Sequence, residues 1–203
     1  MKYTIIGLAL AAITLAACNG SNSSESTTTT DRKDTMQAGA ADAGTTTAYT
    51  PPSGVDAKAS ASIKGIVDGY IKLKNALAGD DGNSAAAAGK DILAAMQNVD
   101  QSAMSADQKK AYAGVADDVK ENAEHISQNA GKIDHQREHF EMLSKDVEDL
   151  VKTFGGGQKL YKDFCPMAND NKGAAWISEV KDIKNPYMGK EMPDCGEVKE
   201  ELK

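Results

Sequence analysis

Between residues 57 and 154 the chain carries four runs of apolar residues spaced three and four apart, each closed by a break rich in glycine or aspartate. That spacing places one apolar stripe on one face of a helix, and the stripe must be covered for the helix to persist in water. The first run is Ile63, Ile66, Tyr70, Ile71, Leu73 and Leu77, stopped by Gly79-Asp80-Asp81-Gly82. A second helix is read from Ser84 to about Val99, with Ala85 to Ala88, Ile92, Leu93 and Met96 inward. Ser105-Ala106-Asp107-Gln108 has capping-box form and opens a third, striped by Tyr112, Val115, Ala116, Val119, Ala123 and Ile126. The fourth follows Gly131 and Asp134 and runs through Phe140, Leu143, Val147, Leu150, Val151 and Phe154 to Gly155-Gly156-Gly157. Short connections make neighbours antiparallel, so the expected fold is all-α: an antiparallel four-helix bundle. No Gly-Lys-Ser or Gly-Lys-Thr follows the glycine run, so it is no phosphate cradle.

Composition supports this class and removes others. Only 5% of the 203 residues are aromatic, which argues against an all-β fold. Thirty acidic side chains against 23 basic ones leave no positive excess for a phosphate backbone, so nucleic acid is not an expected partner.

The N-terminus reads as an address. Lys2 precedes an apolar run, Ile5 to Ala12, and small residues lead into Leu15-Ala16-Ala17-Cys18. The run is too short for a bilayer-spanning helix. Its order resembles the bacterial lipoprotein signal, whose lipobox cysteine becomes the acylated first residue. On that resemblance residues 1–17 are removed and Cys18 carries acyl chains that anchor the protein to a membrane. Asn19 after the lipid site implies, by the enteric sorting rule, the outer membrane, facing the periplasm.

Residues 19–54 contain no Leu, Ile, Val, Phe or Trp and are dominated by Ser, Thr, Ala, Gly and Asp. Such a stretch buries too little apolar surface to offset its conformational entropy. Residues 18–56 are therefore expected to be a lipidated, disordered tether, with an end-to-end distance of about 30–36 Å. The helical part is assigned to 57–154, and 155–203 to a C-terminal cap packed on it within one domain.

The cap changes character. It holds Tyr161, Phe164, Trp176 and Tyr187, three of the five prolines (Pro166, Pro186, Pro193), and both cysteines that lipidation leaves over, Cys165 and Cys195. A compact irregular cap is expected, with Trp176 as its packing anchor. Its strings are Tyr161-Lys162-Asp163-Phe164-Cys165-Pro166-Met167-Ala168-Asn169, Trp176-Ile177-Ser178, Asn185-Pro186-Tyr187-Met188-Gly189 and Met192-Pro193-Asp194-Cys195-Gly196. With Gln136-Arg137-Glu138-His139-Phe140 and Leu143-Ser144 upstream, they resemble the bacterial family known as domain of unknown function 3347, over roughly residues 60–200. The family includes freestanding exported proteins and domains appended to periplasmic adaptors of heavy-metal efflux pumps of the copper and silver class. The resemblance implies soft-metal handling in the cell envelope beside efflux components, and no known reaction. The chain lacks adaptor hairpin, lipoyl and barrel regions, so adaptor function is not implied.

The residues themselves offer two readings of the sulfur atoms. Cys165 with Met167, and Met192 with Cys195, present thiolate and thioether pairs suited to Cu(I) or a similar soft ion, with Met188 a further candidate. No Cys-x-x-Cys zinc spacing occurs. Alternatively, Cys165 and Cys195 form a disulfide, natural in an oxidising envelope; closing that loop would contribute roughly 3–4 kcal/mol in the chain-entropy model.

His135 and His139 are four apart on the fourth helix, and His125 lies near the end of the third. They are candidate ligands, but by helical angle His139 falls at the edge of the apolar stripe and His135 nearer the polar side, so solvated or bundle-edge histidines are expected. Gln136 falls on the stripe and is expected to be a buried amide bonded to the cap. Glu138, Glu141, Asp146, Glu148 and Asp149 alternate with Lys145 and Lys152 as a solvated face. With no Gly-x-Ser-x-Gly string and no spacing that pairs Cys165 with a histidine, an enzyme is not expected. The expectation is a non-enzymatic, envelope-anchored lipoprotein that binds or buffers a soft metal ion; the alternative is a structural or protein-interaction module stapled by a Cys165–Cys195 disulfide.

Overall fold

Each of the four stripes winds into a helix in the computed structural model, which describes residues 57–202. The signal segment, Cys18 and the proposed tether lie outside the described residues. The helices are α1 (Ala57–Ala78), α2 (Gly82–Gln97), α3 (Ala106–Gln128) and α4 (Ile133–Phe154). Asp81 caps α2 by accepting from the Ser84 amide at 2.9 Å. The capping box of α3 is reciprocal: Ser105 Oγ accepts from Gln108 N at 3.2 Å, and Gln108 Oε1 accepts from Ser105 N at 2.9 Å. Gly155, at φ 74°, supplies the left-handed residue that ends α4. Among the described residues no helix is long and apolar enough to cross a membrane.

The stripes make the core. Phe140, Leu143, Val147, Leu150, Val151 and Phe154 of α4 are all buried, against Ile63, Ile66, Tyr70, Leu73 and Leu77 of α1. Contacts alternate in direction along the chain. Lys72 of α1 meets Asp91 of α2 and Gly65 meets Ala95, while Asn122 of α3 meets His139 of α4; consecutive helices are therefore antiparallel. Gly65 and Gly69 allow α1 and α2 to approach closely, because a Cβ there would sit 2.9 Å from Ala95 Cβ and 2.8 Å from Ile92 Cγ1.

The C-terminal segment corrects the all-α expectation. Instead of an irregular cap it forms a three-stranded antiparallel sheet, β1 (Leu160–Cys165), β2 (Ala174–Ser178) and β3 (Glu197–Leu202), in the order β2-β1-β3. The molecule is mostly helical with a small sheet. The sequence hides β3 because Glu197-Val-Lys-Glu-Glu-Leu exposes most of its side chains at a sheet edge, and it hides β1 because a buried acid, Asp163, interrupts the apolar pattern. Between β1 and β2 the chain makes one tight turn, Ala168–Asn171, in which Asn169, Asp170 and Asn171 take positive φ, the residue types that tolerate it after glycine.

Two buried side chains, Tyr70 and Ser144, and the half-buried Tyr187 fasten the sheet to α1 and α4. The Tyr70 hydroxyl accepts from the Ile177 amide at 3.1 Å and lies 2.8 Å from Ser144 Oγ, which donates to the Phe140 carbonyl at 2.7 Å. From the loop after β2, Tyr187 donates to the Ala175 carbonyl at 2.7 Å and packs on both Phe140 and Trp176. Trp176 is fully buried, as expected of an anchor. Gln136 is also fully buried, but its amide donates to the carbonyls of Gly82 and Ile126, at 3.0 and 3.1 Å. It ties the start of α2 to the end of α3, and the expected bond to the cap is replaced because its side chain faces the turn between α3 and α4.

Candidate metal centre

The two cysteines left after Cys18 converge. Cys165 is the last residue of β1 and fully buried; Cys195 lies in the turn before β3 and is half-buried. Both are free thiols, and Cys165 is the neighbour that most affects the ionisation of Cys195, so the two sulfhydryls lie close together. Local structure explains the meeting. β1 lies between the other two strands, so the turn that feeds β3 arrives beside the end of β1, with Phe164 paired to Glu197. Gly196 follows at φ 143°, where a Cβ would stand 3.0 Å from the Phe164 carbonyl oxygen and from the Trp176 ring. Only glycine lets the chain pass that close.

The neighbouring Cys165 thiol, together with some burial, pushes the Cys195 thiol above its ordinary range, while the Met167 backbone N–H opposes this. A thiophilic ion would displace the Cys195 proton on binding. The methionines are less uniform. The Met167 side chain is 47% exposed. Met192 is half-buried and its carbonyl accepts from the Cys195 amide at 3.2 Å. Met188 lines a cleft with Tyr187, Arg137, Glu138 and, from the turn after Met167, Asn169 and Asp170. The thiols are thus brought together beside the backbone of Met167 and Met192.

The loop bearing these residues is pinned from outside. Asn185 Nδ2 donates to the Cys195 carbonyl at 2.7 Å while its Oδ1 accepts from the amides of Tyr187 and Met188. Arg137 donates to the Pro186 carbonyl and to Asp80.

The histidines lie at the bundle edge, with the His125 and His135 side chains 45% and 38% exposed, and they cluster. His125, His135 and His139 offer ring nitrogens that all lie within 4.8 Å of one another. The His125 and His139 rings stack at 4.2 Å, and His135 meets His139 edge-on at 4.6 Å. The helical angle accounts for their place at the edge; the grouping of the three rings comes from the antiparallel packing of α3 on α4. His125 and His135 straddle the connection between α3 and α4, and the antiparallel turn brings them level.

Two acids also escaped the sequence reading. Asp163 is fully buried beneath the sheet, near the buried Lys74 that pairs with Glu179 at 2.8 Å, and burial raises its carboxyl to about 7 despite the Lys74 charge. Its oxygens and the neighbouring Trp176 indole nitrogen make no hydrogen bond of ordinary geometry among the described residues. Asp146, expected in a solvated row, is half-buried and raised to about 6, first by burial and then by Asp118 and Asp149. Of the rest of that row, Glu138 and Asp149 are exposed as expected, whereas Glu141 and Glu148 are half-buried, Glu141 paired with Lys145 and Glu148 with both Lys152 and Lys162 of β1.

A protein-family model described as "Protein of unknown function (DUF3347)" matches residues 66–159. Over those residues the chain carries this family's domain. The match runs from the middle of α1 to the residue before β1, so it covers most of the helical part and stops short of the strings that carry Cys165 and Cys195. No curated protein and no solved structure matches the chain.

Proposed function

We propose that this protein is a non-enzymatic, lipid-anchored envelope protein that binds or buffers a soft metal ion, Cu(I), between Cys165 and Cys195. One observation carries the reading: two thiols thirty positions apart in the chain meet, one sealed in the core and the other half-open to solvent. Two thiolates suit a low-coordinate monovalent soft ion, and a bound cation would offset the repulsion between their charges. Met167 and Met192 are the thioethers nearest in sequence. The resemblance of residues 1–18 to a lipoprotein signal supports anchorage through Cys18, by its form at the outer membrane on the periplasmic side, and the resemblance to efflux-associated domains supports metal-efflux components as partners.

Titrating the reduced full chain with Cu(I) in competition with a chromophoric chelator tests this reading. One ion per chain, lost in Cys165→Ser and in Cys195→Ser, is the expected result. Failure to compete, or binding that survives both substitutions together, overturns it.

The same contact also favours a second reading, a structural module closed by a disulfide. A disulfide-bearing oxidant would take two electrons and two protons from the thiols, joining the sulfurs and being reduced to its own dithiol. Mass spectrometry of the exported protein distinguishes the two, since the crosslinked chain is lighter by two hydrogens and resists alkylation.

A further inference from the structure

We infer that His125, His135 and His139 form a second metal site, distinct from the thiols, that takes a borderline divalent transition ion such as Zn(II). Different elements build the two sites: α3 and α4 present the imidazoles, whereas β1 and the turn before β3 present the sulfurs.

His135 and His139 share a face of α4 by their four-residue spacing, and His125 comes from the antiparallel α3. The mutual reach of 4.8 Å is the separation expected of atoms that can close on a common ion with small side-chain turns. His125, 45% exposed, is the ring with most room to turn.

Hydrogen bonds around the rings prepare them for this task. His139 Nδ1 lies 2.9 Å from Asn122 Oδ1, and Asn122 is itself oriented because its Nδ2 donates to the Asp118 carbonyl at 2.9 Å. The amide oxygen therefore faces the ring, Nδ1 carries the proton, and the Nε2 lone pair is left for a ligand. His135 Nδ1 sits 3.1 Å from Glu138 Oε2, the same arrangement with a carboxylate. A histidine that donates one ring N–H to an amide or carboxylate while offering the other nitrogen is the usual form of a metal-bound imidazole.

Three nitrogens without sulfur favour Zn(II), Co(II), Ni(II) or Cu(II) over Cu(I), and three protein ligands leave a further position for water or an incoming group. The thiol site and this one would therefore sort ions by softness on one small domain.

The test uses the full chain, kept reduced, titrated with Zn(II) by calorimetry and with Co(II) by absorption. One ion per chain is expected, with Co(II) d–d bands and no thiolate-to-cobalt charge-transfer band. His125→Gln, at an exposed position, is expected to weaken Zn(II) binding at least about tenfold, and Asn122→Ala by about tenfold through loss of the tautomer-fixing bond. Absence of stoichiometric binding, or Zn(II) affinity unchanged in a folded His125→Gln/His135→Gln chain, overturns the assignment. A thiolate-to-cobalt band on the first equivalent overturns it too, and leaves the thiol reading intact.

Discussion

Arg137 Nη2 meets Asp80 Oδ1 at 2.6 Å, joining α4 to the turn after α1, and the same Asp80 accepts from the Lys190 amide at 3.0 Å through its other oxygen. Arg137 also donates to the carbonyls of Pro186 and Leu77. One mostly buried guanidinium thus holds the loop that leads to Cys195. Arg137→Ala leaves these acceptors without their donor and is expected to cost about 2–3 kcal/mol, with Arg137→Lys between it and the natural chain because an ammonium cannot fill the fork. Urea unfolding followed by circular dichroism measures the loss.

Tyr70 carries a hydroxyl between a helix and a strand. Tyr70→Phe keeps the ring stacked on Phe140 at 5.1 Å but leaves the Ile177 N–H without its acceptor. A loss of roughly 1–3 kcal/mol is expected, the cost of a buried unsatisfied donor. If the midpoint of urea unfolding does not move, that hydrogen bond does not fasten the sheet.

How much of this was readable beforehand follows from periodicity. The α4 stripe and the Ser105 capping box were legible because each is a local pattern whose period names the helix. The sheet was not, since Val198 and Leu202 are the only apolar residues of β3 and Asp163 sits where β1 should be apolar. The thiol pair could be suspected from cysteine arithmetic once Cys18 was set aside. The histidine cluster needed one more step: His125 and His135 lie either side of the Asn129–Lys132 connection, so an antiparallel turn pairs them whatever their position relative to the apolar stripe. Asp163 gave no signal, because burial of a lone acid depends on which strand lies under which helix.

Cys165 is the largest influence on the ionisation of Cys195, so the reactivity of Cys195 depends on it. Cys165, sealed in the core, is expected to resist iodoacetamide in the native chain, while Cys195 reacts slowly at pH 8 because its ionisation is held above the usual thiol range. Cys165→Ala removes the largest cause of that elevation. Cys195 should then alkylate several-fold faster at pH 8, with its pH–rate profile displaced downward. Mass-spectrometric alkylation kinetics provides the check, and a profile that does not move would mean that Cys165 does not govern the Cys195 proton.

Asp163 sets a stability slope with pH. Its folded value of about 7 lies above the ordinary 3.8, so between those limits the folded state holds a proton that the unfolded chain has released. Stability from this group is full below about pH 4 and falls as the pH rises towards 7, by roughly 2–4 kcal/mol over the interval. Asp146 adds a smaller slope of the same sign up to about pH 6. Asp163→Asn cannot ionise and removes the larger slope. The substituted chain should match the natural one near pH 4 and exceed it at pH 8, since Lys74 keeps Glu179 as its partner at 2.8 Å. Thermal melts at the two pH values decide the matter: a variant that loses stability at pH 8 would show that the Asp163 carboxylate supports Lys74 more than burial penalises it.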